Sequence, residues 1–279
     1  MANNTLIIVG ADKGGVGKTT VSRTLIDYFA AYNLPLRAFD TEHPKGTLHR
    51  FYPEQTEIVN FTEISDQMRV LDSIRSTDKS TIIDVRAGLL SSTLQFFQNI
   101  GFLEALKRAE VRLVLFHVLG PSISSLREIA DIAPFVPHAK YYMVKNYIND
   151  AAFFNWDQSI YEQYFPKSTN PVEVTIPKLN EMAFEQVESA SISFISFIAN
   201  KAAKRDVDYS FVLRGYVRHW LGNVWAEYDR INLHNLVRPI QPNAGTDDSH
   251  SFSTNLPVSF FPMQEANPPS RHGSAAGIT

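Results

Sequence analysis

The chain has 279 residues, of which 44% are apolar and 20% are charged, and its formal net charge is −3. That length allows one large domain or two small ones with a substantial core, and the apolar share excludes a wholly disordered protein. The small net charge argues against a protein that coats nucleic acid over its whole surface. The absence of cysteine excludes disulfides, thiol nucleophiles and thiolate-ligated zinc or iron–sulfur centres.

The N-terminus has no basic stretch, and the apolar run that follows it covers only residues 6–9. This run is too short for the apolar region of a signal peptide. No later segment approaches the roughly 20 apolar residues that a spanning helix needs. We therefore expect a soluble, cytoplasmic protein that makes no stable insertion into a membrane.

Short apolar runs alternate with longer amphipathic stretches along residues 1–205. Most of the runs do not alternate polar and apolar residues, which indicates burial on both faces. Such strand–helix alternation predicts an α/β fold with a doubly wound, mostly parallel sheet. The predicted strands are Leu6–Val9, Leu36–Phe39, Thr81–Asp84, Val111–Val118, Lys140–Val144 and Val172–Ile176. The predicted helices are Thr19–Tyr32, Glu63–Ser76, Leu90–Arg108, Ser124–Ile132 and Asn180–Arg205.

The rest of the chain is predicted as a C-terminal helical extension over residues 206–236 and a disordered tail over 237–279. Apolar residues recur at helical spacing through residues 208–233, which suits a helix that packs on the sheet, a helix that binds a partner, or a membrane-bound helix. The cations Lys201, Lys204 and Arg205 suit either a DNA-facing patch or a solvated face. The tail is rich in Pro, Asn, Ser and Gly and has little apolar surface to bury.

The most informative segment connects the first predicted strand to the first predicted helix, which is the context that a phosphate-binding loop requires. Its glycines allow backbone N–H groups to face phosphates at a helix N-terminus. The pattern assigns Lys18 to the β- and γ-phosphates and the Thr19 hydroxyl to Mg²⁺. Asp12 stands where the general pattern has glycine. The segment reads Gly10-Ala11-Asp12-Lys13-Gly14-Gly15-Val16-Gly17-Lys18-Thr19-Thr20.

The run Lys-Gly-Gly-Val-Gly-Lys-Thr-Thr from Lys13 to Thr20 resembles the deviant phosphate loop of the ParA/MinD family of ATPases. The resemblance implies that Lys13 reaches the phosphates of a second subunit in a nucleotide-sandwich dimer. Two later segments, Val144–Asn146 and Thr175–Leu179, are similar to segments that lie beside the nucleotide base in relatives. Asn146 also suits a plain turn. The nucleotide-binding residues implied are Lys13, Gly14, Gly15, Val16, Gly17, Lys18, Thr19, Thr20, Asn146 and Pro177.

Three acidic residues at predicted strand ends extend the resemblance. Asp40-Thr41-Glu42-His43-Pro44 is similar to the family's Asp-x-Asp-Pro, which implies that Asp40 lies near the metal and that Glu42 positions the attacking water. A solvated loop acid is the alternative for Glu42. Asp84 ends a strand that looks like the Walker B strand, and Arg86 beyond it is either a charge near the phosphates or a solvent-facing residue. The metal ligands implied are Thr19, Asp40 and Asp84.

The resemblance implies slow hydrolysis of ATP with Mg²⁺, and it assigns catalysis to Lys13, Lys18, Asp40 and Glu42. Binding of ATP would form a homodimer that partitions or positions plasmid, chromosome or other cargo. Nonspecific DNA and a partner protein that stimulates hydrolysis are further expected contacts.

Two alternatives remain, and both place the protein in conjugation, secretion or targeting. One is a nucleotide-sensing regulator. The other is a chaperone-like ATPase, which requires an exposed apolar groove in residues 90–110. The residues that would line such a groove are Phe96, Phe97, Ile100, Phe102 and Leu103.

Histidine and serine patterns indicate no other catalytic centre. The eight histidines are scattered without ligand spacing, which argues against a zinc site. His117 lies within an apolar run and is predicted to be a hydrogen-bonded core residue. No Gly-x-Ser-x-Gly elbow surrounds any serine.

Overall fold

The computed structural model describes residues 4–75, 79–108, 111–120, 123–148, 172–201 and 208–238. Seven strands form one sheet within this part of the chain, and every neighbouring pair is parallel. The strands are β1 (Thr5–Gly10), β2 (Leu36–Asp40), β3 (Thr56–Ile58), β4 (Ser80–Asp84), β5 (Arg112–Leu119), β6 (Lys140–Asn146) and β7 (Val172–Ile176). Their order across the sheet is β3-β2-β4-β1-β5-β6-β7.

Helices cover the sheet and connect its strands. They are α1 (Lys18–Ala31), α2 (Ile64–Arg75), α3 (Leu90–Asn99), α4 (Phe102–Arg108), α5 (Ile123–Ile132), α6 (Glu181–Ala190), α7 (Phe194–Ile198), α8 (Phe211–Arg230) and α9 (Leu233–Val237), with a 3-10 turn at Ala133–Phe135. The chain winds from the central β1 to one edge of the sheet and then to the other. The predicted α/β class with a doubly wound, parallel sheet is therefore confirmed.

The sheet is buried on both faces, as the continuous apolar runs predicted. Leu6 and Ile8 of β1 belong to a core cluster that also holds residues of α2, α3, α4 and α5. On the opposite face, Phe116 of β5 packs edge-on against Tyr228 of α8, with ring centroids 5.9 Å apart. Tyr28 of α1 contacts the same tyrosine at 5.6 Å.

Two helices that were predicted as continuous are interrupted in the structure. The stretch 90–108 ends its first helix at Asn99 and restarts at Phe102, with Gly101 at φ 69° between them. The stretch 180–205 breaks at Ser191, which has φ 52°, and Ser193 then caps α7. In both places the apolar pattern continues across the break, so periodicity alone predicted one helix.

The predicted C-terminal helix packs on the sheet domain. Trp225 and Tyr228 of α8 are fully buried, and the Trp225 indole donates a 3.3 Å hydrogen bond to the Thr24 carbonyl of α1. The packing interpretation of this helix is therefore confirmed. No described helix is both long and apolar enough to cross a membrane.

Some predicted features lie outside the described residues, and one strand was not predicted. Lys204, Arg205 and the tail from residue 239 onward lie outside them. The short edge strand β3 was not predicted, because its three residues carry no usable periodicity.

Candidate functional site

The predicted phosphate loop runs from the end of β1 to the start of α1, at the carboxyl edge of the sheet where α/β proteins bind ligands. Gly15 and Gly17 have φ of +72° and +86°, in the left-handed region that favours glycine. A Cβ at Gly17 would lie 2.1 Å from Asn146 Nδ2. That amide donates a 2.9 Å hydrogen bond to the Val16 carbonyl, so Asn146 braces the loop.

Lys18 opens α1 and lies beneath the loop. Its side chain is buried, and Nζ donates a 3.3 Å hydrogen bond to the Lys13 carbonyl. Burial lowers the pKa of Lys18, although the carboxylates of Asp84 and Glu42 partly oppose this effect. The loop therefore encloses a poorly hydrated ammonium group, which an anionic ligand would stabilise.

Asp84, at the end of β4, accepts hydrogen bonds from two hydroxyls of α1. Thr19 Oγ1 lies 3.0 Å from Oδ2, and Ser22 Oγ lies 2.9 Å from Oδ1. Burial and the charge of Asp40 raise the pKa of Asp84 to about 7, against the opposing effect of these hydroxyls and Lys18. A cation beside this carboxylate would offset the cost of its burial.

The donor set fits Mg²⁺ only as part of a nucleotide complex. Thr19 and Asp84 supply a hydroxyl and a carboxylate, which are ligand types that Mg²⁺ uses together with water and phosphate oxygens. The described residues contain no cluster of three or more His, Cys, Asp or Glu that could hold a metal. The remaining ligands would therefore come from phosphate and water.

Asp40 has a structural task in the loop that follows β2. Its Oδ1 accepts the Glu42 N–H at 2.9 Å, and its Oδ2 accepts the N–H groups of Leu48 and His49 at 2.7 and 3.1 Å. Both carboxylate oxygens are thus engaged within the loop. The role of Asp40 in metal binding stays a prediction. Asp40 acts on Asp84 through its charge, which raises the pKa of Asp84.

Glu42 is half-buried and lines the same cavity as Lys18. Its Oε2 accepts a 2.6 Å hydrogen bond from the Thr47 hydroxyl, which holds the side chain in place. Arg86 is exposed and also lines the cavity. The carboxylate of Glu42 is therefore a positioned group beside the phosphate loop rather than a freely solvated loop acid.

Asp12 ties the phosphate loop to two helices. Its carboxylate accepts hydrogen bonds from the backbone N–H of Ser91, at 3.1 Å, and from the Ser91 hydroxyl. Its own N–H donates to Glu128 Oε2 of α5 at 3.1 Å. A glycine at this position would lack the carboxylate, so the departure from the general pattern adds an anchor to α3.

His117 extends this network into the core. The imidazole is fully buried, with Nε2 3.3 Å from Glu128 Oε2 and Nδ1 2.5 Å from the Tyr141 hydroxyl. The prediction that His117 is a hydrogen-bonded core residue is confirmed.

Lys13 and Thr20 lie at the rim of the loop. Lys13 is half-buried, and a Cβ at Gly120 would lie 2.8 Å from its Cδ, so its aliphatic stem rests against the end of β5. Thr20 lines the cavity. Neither position tests whether Lys13 contacts a second subunit.

A cavity of about 510 Å³ opens beside the phosphate loop, within the size range of small-ligand sites. One end is polar, with Lys18, Thr19, Asp84 and Glu42 in its wall. At the other end, Trp220 Nε1 donates a 2.6 Å hydrogen bond to the Pro177 carbonyl. The apolar lining residues there are Ile148, Pro177, Leu179, Phe184 and Trp220, and the acidic residues Glu181 and Glu185 of α6 line the cavity as well.

The sequence analysis missed several residues of this site, among them Ser22, Phe184 and Trp220. Ser22 had a local signal, because it lies three residues after Thr19 and therefore on the same helix face. Phe184 and Trp220 come from α6 and α8, and no short-range pattern connects them to the loop. The long-range packing of these helices brings them to the cavity.

No protein-family model matches this chain, and no curated protein matches it. Among solved structures, it is similar to a nucleotide-binding protein from Archaeoglobus fulgidus in complex with ADP and with cobalt. The two share 14% sequence identity, with a TM-score of 0.41 over 67% of this chain and 86% of that chain.

Proposed function

We propose that the chain is a Mg²⁺-dependent ATPase of the ParA/MinD type, whose dimerisation is driven by ATP. The observation that carries the proposal is the joint placement of three groups at one end of the 510 Å³ cavity. These are the buried Lys18 ammonium under the glycine loop and the Thr19 hydroxyl bonded to Asp84. This combination suits a nucleotide phosphate chain with its metal.

In this proposal the loop N–H groups and Lys18 bind the phosphates, where positive charge stabilises the transferred phosphoryl group. Thr19 and Asp84 would hold Mg²⁺, which supplies further positive charge to the phosphate oxygens when bound. Glu42 orients the attacking water from its position on the cavity wall. Its bond to Thr47 supports this role, because a positioned carboxylate loses less freedom on orienting water.

The apolar end of the cavity would receive the nucleotide base. Trp220 and Phe184 offer aromatic surface there, and Pro177 is fixed by its bond to the Trp220 indole. Flat apolar walls stabilise a base through stacking and burial. The cavity thus offers distinct surroundings for the two ends of ATP.

Lys13 is the residue that would make the enzyme a switch. The family resemblance implies that Lys13 contacts a phosphate bound in the second subunit. Lys13 is half-buried at the rim of the loop, and this position is compatible with that contact. We propose that the ATP-bound dimer creates the surface that binds cargo, with nonspecific DNA as a candidate. A partner protein would then stimulate hydrolysis.

Sedimentation velocity with ATP, ADP or no nucleotide tests the proposal, each with and without nonspecific DNA. We expect a dimer with ATP alone, and co-sedimentation with DNA only in that state. Lys13→Ala should bind nucleotide but remain monomeric and inactive. A Lys13→Ala variant that dimerises normally would leave an ordinary phosphate-loop protein, and ATP binding without turnover would favour a nucleotide sensor.

A surface groove keeps the chaperone-like alternative as a second candidate. Phe97 is fully buried in the core and lines no such groove, and Phe102 is largely buried. However, a groove of about 350 Å³ between α2 and the α3–α4 turn includes Met68 and Ile100, which are 58% and 51% exposed. ATP-dependent binding of a labelled apolar peptide, lost in Ile100→Asp, would favour this function over partition.

A further inference from the structure

A second cavity, of about 470 Å³, lies at the opposite edge of the sheet from the phosphate loop. Arg112 and Lys140 are the first residues of the neighbouring strands β5 and β6, and Lys107 lies in the last turn of α4. All three line the cavity. Because the strands are parallel, their amino ends lie away from the nucleotide edge, and the two cavities share no lining residue.

Positive charge predominates in this second cavity. Its wall carries the cations Lys107, Arg112 and Lys140 and a single carboxylate, Glu104. Within the described parts of the chain, none of the three cations forms an ion pair with a carboxylate. The described wall of the cavity thus carries an excess of positive charge on a concave surface, where it is most effective in attracting an anion.

Two of the basic side chains, Lys107 and Arg112, have partners that are not carboxylates. Lys107 Nζ lies 3.1 Å from Nε2 of His138, which also lines the cavity. The Arg112 guanidinium donates to the Leu236 carbonyl of α9. Neither partner carries a negative charge, so these contacts leave the cavity cationic.

Apart from Gln98, Glu104 and His138, the remainder of the cavity wall is apolar. Leu106, Val111 and Val136 are buried residues that form part of its wall. Pro134 and Pro137 flank the same wall and restrict its backbone. The volume falls in the range of small-ligand sites, and apolar walls with a few charged groups are typical of them.

We propose that this cavity binds a small amphipathic anion, with a carboxylate or phosphate headgroup on a short apolar body. The headgroup would contact Lys107 and Lys140, and the apolar body would cover Leu106 and Val111. The proposal concerns a second ligand site and does not depend on the nucleotide site, with which it shares no residue.

Isothermal titration calorimetry of the full chain with octanoate and with octyl phosphate tests this site. We expect one molecule of at least one anion to bind per chain. Acetate, which lacks the apolar body, and octylamine, which reverses the charge, should each bind at least about tenfold more weakly. The two headgroups distinguish a carboxylate ligand from a phosphate ligand.

Substitutions test whether the anion binds in this cavity. The pair Lys107→Gln and Lys140→Gln should weaken binding of the anion at least about tenfold, whereas Lys201→Gln, which removes an exposed cation elsewhere, should not change it. Glu104→Gln, on an exposed helix position, should tighten binding and covers the case in which the double variant unfolds. Absence of binding by both anions, equal binding of octylamine, or full binding by a folded double variant would overturn the proposal.

Discussion

The Thr19 hydroxyl lies 3.0 Å from Asp84 Oδ2 and donates a hydrogen bond to it. This bond joins the first turn of α1 to the carboxyl end of β4, two elements separated by 65 residues of sequence. It brings a hydroxyl ligand and a carboxylate ligand to the same point, beside the Lys18 ammonium. The proposed ATPase depends on this contact between the start of α1 and the end of β4.

The first prediction concerns the group that orients water. Glu42→Gln should keep ATP binding and lower turnover at least about a hundredfold, because it removes a carboxylate positioned beside the phosphate loop. Thr47→Val is the matched control, since it removes the hydrogen bond to Glu42 and keeps the carboxylate. Phosphate release under single-turnover conditions measures the step directly. Normal hydrolysis by Glu42→Gln would remove this residue from the proposed catalysis.

Asp40 should behave differently from Glu42. Its two oxygens accept three backbone N–H groups, whereas an asparagine offers one acceptor oxygen. Asp40→Asn should therefore lose about 1–3 kcal/mol of unfolding free energy, as measured by urea denaturation. A variant that is fully stable and binds ATP but cannot hydrolyse it would show that Asp40, rather than Glu42, takes the catalytic role.

Local sequence patterns predicted much of the polar half of the site. Gly17, Lys18 and Thr19 follow one another along the chain at the start of α1, so a local pattern could identify them together. Asp84 was added by the resemblance of its segment to a Walker B strand. Ser22 was missed, although helix periodicity places it on the same face as Thr19.

The apolar half of the site was not predictable in this way. Trp220 reaches Pro177 across 43 residues of sequence, and no local pattern encodes that contact. The same holds for Asp12 and Glu128, which are 116 residues apart. Such contacts depend on how whole helices pack on the sheet, and this packing is decided by the shape of the entire core.

The second prediction uses the tryptophan at the apolar end of the candidate nucleotide cavity. ATP should change the intrinsic fluorescence of the protein, because Trp220 lines the cavity and a bound base would alter its surroundings. Trp220→Phe should lose this response and bind ATP more weakly, by about tenfold. Trp225→Phe is the control, since Trp225 is buried against α1. A nucleotide response that survives in Trp220→Phe and disappears in Trp225→Phe would place the base elsewhere.

The third prediction concerns stability and pH. Burial raises the pKa of Asp27 to about 7, although Tyr52 and Arg23 act in the opposite direction. Between about pH 4 and 7 the folded state therefore holds a proton that the unfolded state has released. The contribution of Asp27 to the free energy of unfolding should fall as pH rises through this window, by about 1.4 kcal/mol per pH unit, and then level off.

Asp27→Asn should remove this contribution and raise stability above pH 7 relative to the parent. Asp84, whose pKa is also raised to about 7, is present in both proteins, so the difference between their profiles isolates Asp27. Urea denaturation from pH 4 to 8 provides the profiles. Parallel profiles for the two proteins would show that Asp27 does not titrate in this range.

The most direct test of the proposed ATPase is equilibrium binding of ATP with Mg²⁺ to the parent chain and to Lys18→Ala. Lys201→Ala, which removes an exposed lysine elsewhere, serves as the control, and thermal unfolding verifies that each variant is folded. We predict that Lys18→Ala lowers the affinity at least about a hundredfold, because it removes the charge that faces the phosphates. Unchanged affinity in folded Lys18→Ala would contradict the phosphate-loop assignment on which the proposed function depends.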